Sequence, residues 1–189
     1  MGAPGADRPE RPMGPVASVV IARSQCPVLT VPGHVLEGRL TKTGVFGRIV
    51  CAVDLTPSSA GVIRQALSLA WETQGHLTYV CAYGKDASTD PSTIRDGLLA
   101  AIPTETSGWC DTDVIVTKGT ASAEIVRVAE ELNADVVVIG APRRWTSTTH
   151  AVLSRSLRPV LVTHDARPLP WPAERVNRES EMPGMNRTR

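Results

Sequence analysis

Apolar positions along the chain fall into short blocks of two kinds, unbroken and helically periodic. The clearest unbroken block is Asp135–Ile139, rich in β-branched residues and without a polar face. Such a run suits a parallel strand covered by helices on both sides. Gly140 follows where the chain must turn, and Pro142 bars a helix from continuing through it. Thr146-Ser147-Thr148-Thr149 then offers hydroxyls able to cap a helix that carries Ala151-Val152-Leu153 and ends at Pro159. Val160-Leu161-Val162 is a second apolar strand.

The same alternation fills the preceding hundred or so residues. Arg48–Asp54 predicts a strand and Ala60–Gln74 a helix, with Val62, Ile63, Ala66, Leu67 and Ala70 on one stripe and Gly75 as its C-cap. Thr56 or Ser58 is the expected cap of that helix. His76–Tyr83 is a strand, Ser92–Ile102 a helix, and Thr112–Thr117 a strand. Thr120–Asn133 is the strongest helix, with Ile125, Val128, Ala129 and Leu132 in one stripe and Glu124 in its first turn. Strictly alternating β and α implies an α/β fold: a parallel, doubly wound sheet with helices on both faces. In such a sheet ligands enter the crevice beyond the carboxyl ends of the strands. A helix N-terminus there suits phosphate.

The two ends of the chain resemble one another. Arg23-Ser24-Gln25-Cys26-Pro27-Val28-Leu29 and Arg155-Ser156-Leu157-Arg158-Pro159-Val160-Leu161 share R-S-x-x-P-V-L. The offset of roughly 130 residues is the length of one small α/β domain. Residues 16–32 therefore read as the closing helix and strand of a preceding domain. The expected organisation is a disordered segment at 1–15, this remnant at 16–32, a linker at 33–45, one domain at 46–165, and a disordered tail at 166–189. The exposed edge of the last strand needs a partner. Val28–Val31 is expected to lie antiparallel along Val160, Leu161, Val162 and Thr163, unless a second chain fills that place.

Composition removes several functions. A formal net charge of +1 without long runs of one sign gives no footprint for nucleic acid or an anionic membrane. No apolar run approaches the roughly 20 residues of a membrane span. The first residues lack the apolar core of a secretion signal, and Ala6 stands where a myristoylation signal asks for Ser or Thr. Cys26, Cys51, Cys81 and Cys110 have neither C-x-x-C nor zinc spacing, and Cys51 and Cys81 read as buried thiols, which fits a reducing cytoplasm. No G-x-S-x-G elbow is present, and the four histidines lack partners at catalytic spacing.

With this order established, residues 46–164 resemble a universal stress protein domain. The matching pieces are Arg48–Asp54 with its terminal V-D, Thr56-Pro57-Ser58 before a helix, Lys118-Gly119 before another, and A-D-V-V-V-I-G. Ser147-Thr148-Thr149 and Arg158-Pro159-Val160-Leu161-Val162 complete them. The whole chain resembles a tandem member whose first domain is truncated. The resemblance implies a five-stranded parallel Rossmann-like sheet of order 3-2-1-4-5, often dimeric through its last strand. In one branch it implies ATP, or another adenine nucleotide with Mg, held at G-x2-G-x9-G-[S/T]. Carried onto this sequence, that places the nucleotide at Ala52, Val53, Asp54, Ala82, Ile139, Gly140, Arg143, Ser147 and Thr148.

This chain departs from that motif. Arg143 stands at the second glycine position and Thr146 at the third, and the loop is about seven residues short. Glycines there allow main-chain amides to approach phosphate oxygens, and a Cβ obstructs that. Two readings follow: a non-catalytic regulatory module acting by dimerisation or by docking a protein partner, with a degenerate nucleotide site, or a weak adenine-nucleotide binder.

Overall fold

A computed structural model describes residues 13–33, 46–84, 90–104, 108, 110–141 and 146–164. The expectations for residues 1–12, the linker and the C-terminal tail, and for Arg143 and its neighbours, lie outside the described residues. The elements are α1 (Pro15–Arg23), β1 (Val28–Thr30), β2 (Arg48–Ala52), α2 (Ser59–Thr73), β3 (His76–Tyr83) and α3 (Pro91–Ala101). They continue with β4 (Thr112–Lys118), α4 (Ala121–Glu131), β5 (Val136–Gly140), α5 (Ser147–Arg155) and β6 (Val160–Thr163).

The sheet order is β1-β6-β5-β2-β3-β4. The expected five-stranded, wholly parallel sheet is corrected to a six-stranded, mixed one. Five strands are parallel, and β1 is added antiparallel along β6. The physical reason is the unpaired main-chain edge of β6, which the segment before the domain covers.

Both sheet faces are buried, so side chains of alternating direction feed two cores. Ile49, Cys51, Leu77, Tyr79, Val136 and Val138 point toward α2 and α3. Val50, Val80, Val137 and Ile139 point the other way, toward α4, α5 and Ile21 of α1. The unbroken apolar runs arise from this two-sided burial.

Local chemistry refines the caps. The residue in the left-handed region at the end of α2 is Gln74, with φ 51°, not Gly75. Gly75 answers a different demand: a Cβ there would sit 2.7 Å from the Phe46 carbonyl. No helix among the described residues is long and apolar enough to cross a membrane. The four cysteines are free thiols, with Cys51 and Cys81 buried.

Candidate functional site

After β4 the chain returns to the far side of β2, so β2 and β5 lead their connections away in opposite directions. This is the switch point where an open α/β sheet leaves a crevice. A cavity of about 170 Å³ lies there. Ala52, Val53, Asp54, Ala82, Ile139, Gly140 and Thr148 all line it. Ser147 is instead in a shallow groove between α1 and α5, together with Ser18, Val19, Arg23 and His150.

Asp54 ends β2 in a tight turn. Its Oδ1 accepts from the Thr56 amide at 3.0 Å, from the Thr56 hydroxyl at 2.7 Å and from Ser59 Oγ at 2.5 Å. Burial works to raise its pKa, but the hydrogen bonds from Ser59 and Thr56 outweigh it and hold the carboxyl below the usual aspartate value. Leu55 adopts φ 59°, a left-handed conformation that costs a branched side chain, and so turns the Thr56 amide back onto the carboxylate. The expected cap of α2 is thus replaced by an Asp54-centred turn, and Ser58 makes no side-chain capping bond.

Gly140 is required by packing. A Cβ there would lie 2.8 Å from Val62 Cγ2, on the helix that crosses it. It is absent from the positive-φ glycines, so its freedom of backbone torsion is not what the fold uses.

Thr146 is the N-cap of α5. Its Oγ1 accepts from the Thr149 amide at 3.2 Å and lies 2.9 Å from the Thr149 hydroxyl. Thr149 Oγ1 in turn donates to the Gly140 carbonyl at 3.1 Å. One of the amides a helix start offers to an anion is therefore already satisfied within the chain.

Ser58, Ser59, Ala121, Ile125, Thr146, Thr149 and His164 share the crevice without having been singled out as ligand contacts in the sequence. Their signal was positional: each sits just past a strand's carboxyl end or in the first turns of the helix that follows. His164 Nε2 is buried there without a hydrogen-bond partner among the described residues. Among the described residues no group of three His, Cys, Asp or Glu side chains could hold a metal ion.

Residues 46–164 match the universal stress protein family. The chain belongs to that family. Solved universal stress proteins share its fold. One from Archaeoglobus fulgidus DSM 4304 is 22% identical with a TM-score of 0.64, covering 87% of this chain and 60% of that one. A universal stress protein in complex with cAMP is 22% identical at TM-score 0.52, covering 65% of this chain and 99% of that one. An Archaeoglobus fulgidus universal stress protein in complex with dAMP is 22% identical at TM-score 0.53, covering 62% and 98%. The chain spans 57–60% of the length of its longer relatives. Among curated proteins nothing matches it.

Proposed function

We propose that this universal stress protein domain is a non-catalytic regulatory module that works through the β6 edge, which β1 covers, and that its crevice is not equipped for a polyphosphate. The observation that carries this reading is Thr146. It stands at a glycine position of the phosphate-binding motif and spends its hydroxyl on the Thr149 amide. Asp54 commits its Oδ1 to three donors of its own turn, so part of its carboxylate serves the β2–α2 connection. Calorimetry with Mg-ATP on the whole chain tests the reading. Absence of saturable binding in the micromolar range is expected, and saturable micromolar binding overturns it.

A second reading has its own support. The apolar floor of Ala52, Val53, Ala82 and Ile139, with His164 Nε2 beside it and unpartnered among the described residues, suits an adenine nucleoside or its monophosphate. The complexes of structural relatives with cAMP and dAMP point the same way. Titration with AMP decides between the two: micromolar AMP binding that His164→Ala weakens favours the monophosphate.

A further inference from the structure

The junctions α1–β1 and α5–β6 are the same piece of structure built twice. The Ser24 amide donates to the Val20 carbonyl at 2.9 Å, and the Ser156 amide to the Val152 carbonyl at 2.8 Å. Ser24 Oγ donates to the Cys26 carbonyl at 2.8 Å, and Ser156 Oγ to the Arg158 carbonyl at 3.0 Å. The Cys26 and Arg158 amides each return to their serine at 3.1 Å. The two serines have φ, ψ of −63°, 139° and −64°, 132°.

The two copies meet about a local two-fold axis. In the antiparallel ladder Leu29 faces Leu161, its own repeat counterpart, with Val28 opposite Val162 and Thr30 opposite Val160. A second copy's β6 laid on this edge would form the same ladder, with Leu161 opposite Leu161 and Val160 opposite Val162. Ile21, 1% exposed, closes the α1 side by packing into the core shared by Val152, Val160 and Val162. Its repeat counterpart Leu153 packs into that same core from α5.

We propose that α1–β1 is a built-in substitute for the β6 edge of a second copy: it occupies a homotypic pairing site and keeps the chain monomeric. The partner this edge fits is another copy of the same chain, and that pairing emerges when β1 is displaced. The inference deepens the edge-based reading above, because it names the edge's occupant and its regulation. Tethering supports it physically. A segment joined through residues 34–45 competes at an effective concentration on the order of millimolar, which exceeds a second copy at micromolar protein.

The test is mass in solution by light scattering on the whole chain and on an Ile21→Asp/Val28→Asp variant, which leaves residues 46–164 untouched. The expected result is 20.2 kDa for the wild type across micromolar concentrations and a doubling of mass for the variant. Amide exchange at Val160–Thr163 in the wild type should not change with protein concentration. A dimeric wild type, or a variant that stays monomeric while melting cooperatively, overturns the proposal. Should the aspartates unfold the chain, Val28→Ser alone is the milder displacement and is read against the same two outcomes. ATP binding is independent of these readouts, so failure here and failure of the crevice reading are distinguishable.

Discussion

Val20 and Val152 occupy equivalent places in the repeated helix–strand junction, yet Val152 is fully buried and Val20 is 51% exposed. Each accepts the amide of the serine four residues on. The difference is what lies over them. Val152 faces the sheet of its own domain, while α1 has no such sheet against its equivalent face among the described residues.

The contrast predicts unequal costs for one chemical change. Val152→Ala leaves a cavity in a closed core and should cost about 2–3 kcal/mol. Val20→Ala should cost less than about 0.5 kcal/mol. Urea midpoints at constant slope measure both, and equal losses would mean that α1 is covered in solution.

Gly140 and Val62 should be energetically coupled. Gly140→Ala places a methyl 2.8 Å from Val62 Cγ2 and should destabilise by about 1–3 kcal/mol. Trimming the neighbour with Val62→Ala should recover part of that, giving a coupling of about 1 kcal/mol in a double-mutant cycle. Strict additivity would show that Gly140 is needed for some reason other than helix packing.

Thr146→Gly is a gain-of-function experiment. It returns a glycine to the motif position and frees the Thr149 amide, at a cost of about 0.5 kcal/mol in helix capping. One charge-assisted hydrogen bond restored to phosphate should raise ATP affinity roughly tenfold over the wild type. Unchanged calorimetric titrations would show that the cap is not what limits the site.

Acid sensitivity should centre on Asp54 and Glu124. Burial pushes the Glu124 pKa up, but hydrogen bonds from Arg127 and Thr117 and the Arg127 charge bring it below the usual 4.5. Its Oε2 accepts from Thr117 Oγ1 at 2.6 Å and from Arg127 at 2.7 and 3.0 Å. A carboxyl depressed in the folded state adds stability above its unfolded pKa and loses it as pH falls. Glu124→Gln should therefore cost about 1 kcal/mol at pH 7, modest because Arg127 is 40% exposed. The gap between wild type and variant should close below about pH 4. A gap independent of pH would assign the loss to packing.

The alternation of apolar runs and stripes was readable because the four central strands are buried on both faces and the helices mostly on one. The R-S-x-x-P-V-L echo was readable as a junction, and it led to the Val28–Val162 ladder, because proline and serine set the backbone there locally. The five-strand count covered the domain alone; the sixth strand is the Val28–Val31 segment already expected along the β6 edge. Gly75 was misread as a cap, and the packing demand on Gly140 was not visible, for a shared reason. Sequence shows that a glycine is present, while only tertiary packing shows which neighbour forbids a side chain. Asp54 was found at the crevice, but its turn depends on Leu55 in a conformation no local propensity favours. His164 escaped notice because one histidine after a strand carries no spacing pattern.

One of the two outermost strands of the sheet has consequences for how this protein crowds with itself. β1 is only three residues long and stands between Pro27 and Pro32, neither of which has an amide hydrogen to offer. A newcomer arriving at that flank finds too few donors to start a ladder. A ladder is blocked on this flank at its first rung, which leaves β4 at the opposite edge as the place where strand addition could begin.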